Sequence, residues 1–170
     1  MGKRGPGAKP ARDTAGPAKP LRRRRAAPGK RAEAVIAWLE RLTVTSGAHA
    51  GRRLRLRPWQ KAILRRAYGA GPDGRRIVRT ALISMGRKGG KSTLCAALAL
   101  CHLVGPEAVA RGQVVSAAAD RRQASIIYAE LRAFALANPE IADRLVFRDF
   151  AKTVEDVRTG STFAALSADA

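Results

Sequence analysis

The residues best suited to chemistry are Gly86-Arg87-Lys88-Gly89-Gly90-Lys91-Ser92, with Thr93 next in line. The apolar run Ile77 to Met85 leads into them, and the apolar run Thr93 to Val104 leads out. A glycine-rich turn between a strand and a helix lets successive backbone N–H groups face inward around phosphate oxygens. The positive end of the following helix adds to that field. In such a loop Lys91 would reach the β- and γ-phosphates of a nucleoside triphosphate, and the Ser92 hydroxyl would sit on Mg2+. The standard spacing asks for glycine at position 85, where this chain has Met85; Gly86 comes one step late. The plain alternative is a glycine-rich turn ahead of an ordinary helix.

A hydrolytic site also needs an apolar strand ending in Asp, usually followed by Glu, to steady Mg2+ and activate water. The nearest match is Val114 to Asp120, but Arg121 stands where the Glu is wanted. Asp120 with Gln123 three residues later already makes the pattern of a helix-capping box. The chain therefore shows a nucleotide cradle without the hydrolytic half. Cys95 and Cys101 read as small core residues, too few for a zinc site or a disulfide framework, and they suit a reducing compartment. His49 and His102 have no nearby ligand set.

The elements that must position the loop follow from periodicity. Val35, Trp38, Leu39 and Leu42 share one face of a helix expected over Glu33 to Leu42. Thr43 to Ala50 reads as a loop. Leu54 and Leu56 alternate with Arg53, Arg55 and Arg57, as in a half-exposed strand, and Pro58 opens a helix running to about Tyr68. Ile77 to Met85 is expected as a strand buried on both faces, Thr93 to Val104 as a buried helix, and Gln113 to Ala119 as a second buried strand. Ala124, Ile127, Tyr128, Leu131 and Phe134 keep a 3.6-residue period for the next helix, which Asn138-Pro139 ends. A short strand at Leu145 to Phe147 and a hairpin from Thr153–Val157 and Ser161–Leu166 close the chain. Strand, helix, strand, helix, strand predicts an α/β fold, a partial P-loop NTPase with a RecA-like parallel sheet and flanking helices.

The 170 residues carry a formal net charge of +20, from 33 Lys+Arg against 13 Asp+Glu. The excess lies in two blocks: residues 1–31 hold 11 basic residues and residues 51–91 hold 13, each with one acidic residue. The first block, rich in Pro and Gly and containing Arg22-Arg23-Arg24-Arg25, is expected to be a disordered basic tail, with residues 32–170 forming the domain. Such a tail is either a solvated, self-repelling segment or a non-specific ligand of phosphate backbones. Arg52, Arg53, Arg55 and Arg57 are open to the same division: they track a nucleic-acid backbone, or they guard an edge strand. No apolar run is long enough to span a membrane, and the N-terminus lacks the apolar core of a secretory signal.

These stretches together resemble the large terminase subunits of tailed phages. Loops of that family begin Ser/Gly-Arg and lack the early glycine, which removes the objection raised by Met85. The resemblance implies that Arg87 senses or stabilises the γ-phosphate, and that Lys91 and Ser92 are the loop's Lys and Ser/Thr. Leu56-Arg57-Pro58-Trp59-Gln60 resembles the family segment that contacts adenine, where the Gln60 amide can donate and accept together. Read by themselves, Trp59 is equally a core anchor and Gln60 a first-turn helix residue. Ser116 to Ala124 and Ala165 to Ala170 resemble later family segments. The resemblance covers about residues 33–170. It implies ATP and Mg2+ as cofactors, with double-stranded DNA, a small terminase subunit and the portal or procapsid as partners. It also implies a homo-oligomer at full length and a place in the cytoplasm of the bacterial host. The family continues into an Asp-Glu strand and a nuclease domain, so this chain is expected to be a front portion, incompetent in hydrolysis by itself. A non-enzymatic nucleic-acid binder and a fragment of a helicase-like motor are the alternatives.

Overall fold

The computed structural model describes residues 29–71, 75–86 and 88–168. The expected tail up to residue 28, the Asp73-Gly74 turn and Arg87 lie outside the described residues.

Helix α1 (Lys30–Leu39) opens the described chain and buries Ala32, Val35, Ile36 and Leu39. Its start falls earlier than periodicity suggested, because Arg31 is ion-paired with the carboxylate of Glu107 and so drawn into the fold. After α1 the chain doubles back. The N–H of Leu54 donates to the carbonyl of Leu42, and the N–H of Val44 to the carbonyl of Arg52. A short 3-10 turn (Gly47–His49) sits at the tip, with Gly47 and Gly51 at φ +75° and +79°. A Cβ is costly in that left-handed region, which is why glycine flanks the turn. Pro58 then starts helix α2 (Pro58–Ala67) at the position where a missing N–H costs nothing.

Helix α3 (Lys91–Val104) follows the glycine loop and buries Leu94, Ala96, Ala97, Leu100, Cys101 and Leu103. Strand β1 (Gln113–Ala118) leads to helix α4 (Arg121–Leu136), capped by the Asp120 carboxylate, which accepts from the Gln123 N–H at 2.8 Å. A short helix α5 (Pro139–Ala142) precedes strands β2 (Leu145–Arg148), β3 (Thr153–Asp156) and β4 (Ser161–Ser167). The sheet order is β1-β4-β3-β2. The pairing is parallel between β1 and β4 and antiparallel at β2–β3 and β3–β4. The α/β class with flanking helices is thus as expected, but the sheet is mixed. The β2–β3–β4 meander follows from short connections, which allow antiparallel return and no crossover.

Three expected strands differ. Arg53 to Arg57, expected as a half-exposed strand, joins no sheet and makes only the isolated Thr43–Arg53 bridge, because its one neighbour is the short segment after α1. Ile77 to Met85 forms no ladder among the described residues, and its apolar side chains are open, Leu82 being 96% exposed. Apolar composition signals a strand but cannot supply the neighbouring edge that accepts its N–H and C=O groups. Bonds near its start, such as the Ile77 N–H to the Gly69 carbonyl and the Ala70–Arg76 bridge, hold it to the end of α2. Strand β1, expected to be buried on both faces, alternates: Val114 packs against the core and Val115 is 54% exposed, because α3 and α4 cover one face and the other is left open.

The core joins α1, α2, α3 and α4 to the sheet through Leu39, Leu64, Leu100, Leu103, Leu131, Phe134, Val154 and Phe163. α3 and α4 pack on each other and both touch β1 and β4. The start of α3 is therefore fixed from behind by a packed interior while its front remains open.

Candidate functional site

Gly90 is the N-cap of α3, at φ +78° and ψ +22°. Its carbonyl accepts from the Leu94 N–H, so the left-handed residue begins the helix directly. Lys88 also has positive φ, +62°. Alternation of left- and right-handed residues turns successive N–H groups to one side, the geometry of an anion nest. A Cβ on Gly89 would lie 2.8 Å from Met85 Sδ and 3.4 Å from the Gly86 carbonyl oxygen. Side chains at 89 and 90 would crowd or strain this loop, so the residues present fit an anion held by backbone N–H groups.

Lys91 folds back across the loop. Its Nζ donates to the carbonyls of Met85 at 2.8 Å and Gly86 at 2.9 Å. The ammonium is thereby held against the turn by two backbone carbonyls. Ser92 is exposed and Thr93 half-buried on the first turn of α3. The first N–H groups of a helix have no partner within it, and here they open toward the loop. Arg87, the expected γ-phosphate residue, lies outside the described residues.

A cavity of about 870 Å³ adjoins the loop. Gln60, Lys88, Gly89, Gly90 and Thr93 form one side, and the turn from Val44 to Arg57 forms the other. The structure thus brings Gln60 and the loop together: a Cβ on Gly90 would lie 3.8 Å from Gln60 Nε2. Gln60 is buried, and its Oε1 accepts from the Arg57 N–H at 2.8 Å, leaving the Nε2 side for another partner. The amide expected to donate and accept together therefore has its oxygen engaged by the helix start. Trp59 is half-buried and is not among the residues lining the cavity.

Of the far wall, Thr43 to Ala50 was read from sequence as a loop and Arg53 to Arg57 as a half-exposed strand, and neither reading placed them across from the glycine loop. The signal available was the Gly47 and Gly51 pair; the residue that fixes the wall, Glu40, gave none. The Glu40 carboxylate accepts from the Leu56 N–H at 3.1 Å and from Lys61 Nζ. Burial opposes its charge, but these hydrogen bonds and nearby Arg55 outweigh burial and hold its pKa below the usual glutamate value. Glu40 thus clamps the segment that delivers Gln60.

Behind the loop, the C-terminal end of α3 carries a polar cluster. The Glu107 carboxylate is ion-paired with Arg31 and Arg76, and the Tyr68 hydroxyl lies 2.8 Å from His102 Nε2. Burial lowers the pKa of His102 and pushes the Cys101 thiol up to about 12, so both are neutral near pH 7. Asp120 caps α4, and the described residues contain no cluster of metal-binding side chains.

Comparison with known proteins now bears on this geometry. The sequence profile described as "Terminase large subunit, ATPase domain" matches residues 58–170. The chain belongs to the terminase large-subunit family. It is 35% identical over 142 residues to the terminase large subunit of Enterobacteria phage HK97, covering 82% of this chain and 27% of that protein. The crystal structure of the HK97 bacteriophage large terminase superposes with a TM-score of 0.72 at 33% identity, covering 82% of this chain and 28% of that one. The chain spans about a quarter of the length of these relatives. Its glycine loop, Gln60 and both helices flanking β1 fall within the profile match.

Proposed function

We propose that this chain is the ATP-binding part of a phage motor that packages double-stranded DNA into capsids. The observation that carries the reading is a single cavity joining the buried amide of Gln60 to a left-handed glycine loop at the start of α3. Gly86, Lys88, Gly89 and Gly90 present backbone N–H groups to the phosphates, and Lys91 leaves the Met85 and Gly86 carbonyls to neutralise them. Arg87 would meet the γ-phosphate, and the Ser92 hydroxyl, next to Thr93, would hold Mg2+. The bound metal supplies neutralisation of charge on the phosphate oxygens. Gln60 Nε2 donates to the adenine edge while Trp59 anchors the start of α2.

No carboxylate lines the cavity among the described residues, so activation of water is not assigned to any of them. Family membership supports DNA, a small terminase subunit and the portal or procapsid as partners, a homo-oligomer in the complete motor, and the cytoplasm of the bacterial host as the place of action. No described helix is long and apolar enough to cross a membrane.

Titration of the full chain with a fluorescent ATP analogue in Mg2+ tests the reading. Lys91→Ala removes one charged donor set worth about 1.5–3 kcal/mol, which corresponds to roughly 10- to 150-fold weaker binding. An unchanged affinity would assign the loop to structure alone. DNA binding without any nucleotide affinity would support a nucleic-acid binder instead.

A further inference from the structure

The segment from Arg52 to Arg57 is more than the wall of the nucleotide cavity. Its backbone runs extended against residues 40–44. The Val44–Arg52 and Leu42–Leu54 bonds recur every second residue, and the Glu40 carboxylate continues the series at Leu56. Leu54 and Leu56 turn inward, and Arg53, Arg55 and Arg57 are exposed. Alternate residues of an extended chain such as Arg55 and Arg57 stand about 6.7 Å apart on one face, a stride close to that between successive phosphates of a nucleic-acid strand.

The charge on this face is unbalanced. Arg53 is committed to the Arg41 carbonyl. Arg52 and Arg57 form no ion pair among the described residues, and Arg55 interacts with a Glu40 carboxylate already bound to Lys61. Arg52, Arg53, Arg55, Arg57 and Lys88 line the cavity without a carboxylate. Exposed arginines elsewhere in the fold have counter-charges beside them, as Glu33 is for Arg65 and Glu155 for Arg148.

We propose that Arg55 and Arg57 on this face, with Arg52 exposed at the preceding bend, form a contact surface for the phosphate backbone of double-stranded DNA, at the lip of the nucleotide cavity. The proposal rests on the motor reading for its choice of partner. Glu40 serves as the positioning residue, since its carboxylate holds the Leu56 N–H between Arg55 and Arg57. The surface reads no base sequence, because its contacts go to phosphates.

The test is DNA affinity of the full chain as a function of salt, by fluorescence anisotropy of a labelled duplex. Each phosphate contact contributes about 0.9 to the slope of log K against log salt, so the triple change Arg52→Gln, Arg55→Gln and Arg57→Gln is expected to reduce it by about 2.7. The triple Arg→Lys variant retains the slope. A control triple of equal charge loss, Arg66→Gln, Arg111→Gln and Arg122→Gln, shifts it by less than one unit. A slope unchanged in the first triple, or changed equally in the control, overturns the surface while leaving the motor reading intact. Loss of nucleotide affinity with an unchanged DNA slope assigns the arginines to the triphosphate and also overturns it. No DNA binding by the unaltered chain would remove both.

Discussion

Gly90 offers the sharpest test of the loop. Its φ of +78° and ψ of +22° lie in the left-handed region. A Cβ placed there would meet Gln60 Nε2 at 3.8 Å, an ordinary contact. Gly90→Ala therefore introduces no clash, and the whole penalty is backbone strain of about 1–2 kcal/mol. That strain is either retained in the folded loop or released by a turn of the peptide that takes the N–H groups away from the anion site. Gly86, Lys88 and Gly90 are exposed, so nothing packed against them resists release. Binding must then restore the turned peptide, and the affinity for an ATP analogue with Mg2+ falls roughly 5- to 30-fold. The melting temperature falls little. If the strain is retained, affinity is kept and the melting temperature drops by roughly 2–8 °C instead. The two readouts share one sum. Gly90→Asn recovers most of the loss, since asparagine tolerates this conformation. Gly89→Ala differs in kind: its Cβ would press on Met85 Sδ, the movable end of a side chain, so a second change Met85→Ala relieves it. An alanine at 90 that alters neither affinity nor melting, or an asparagine as harmful as alanine, would refute the reasoning.

Three further outcomes are expected. Asp120→Ala removes the cap of α4 and costs about 1 kcal/mol of stability in denaturant unfolding, with nucleotide affinity retained. Arg144→Met leaves the fully buried Asp156 carboxylate with only the Thr159 hydroxyl and the Arg158 N–H, and costs about 3–5 kcal/mol by the same measurement. His102 has its pKa lowered, chiefly by burial, so the unfolded chain binds its proton more readily than the folded one. Its contribution is present above the unfolded value near 6.5 and is lost as pH falls below it. His102→Gln, which keeps a partner for Tyr68, should flatten the melting temperature between pH 7 and pH 5.

The local features were legible because they are written in neighbouring residues. The Asp120–Gln123 spacing announced the start of α4, Pro58 the start of α2, and Gly89-Gly90-Lys91 the loop. The Thr153–Val157 and Ser161–Leu166 arms were legible as a hairpin because their turn is short, and β3 and β4 pair as expected. What was not legible depends on partners distant in the chain. Ile77 to Met85 has the composition of a strand, but composition does not say which edge it joins, and it pairs with neither free edge of the described sheet, β1 or β2. The β1–β4 pairing joins segments more than forty residues apart, and nothing in either sequence names the other.

The same division holds at the site. Sequence by itself determined a glycine turn with a lysine at a helix start and its resemblance to the terminase family, because backbone conformation and charge there are set by glycine and lysine locally. Only tertiary structure decided what faces the loop. Glu40 reaches the Leu56 N–H from sixteen residues away and holds the arginine-bearing segment opposite Gly90. The Gln60 oxygen is engaged locally, three residues back at the start of α2, but only the fold brings its nitrogen near Gly90. A hydrogen bond across that distance depends on where the core places two elements, and the order of residues along the chain does not state it.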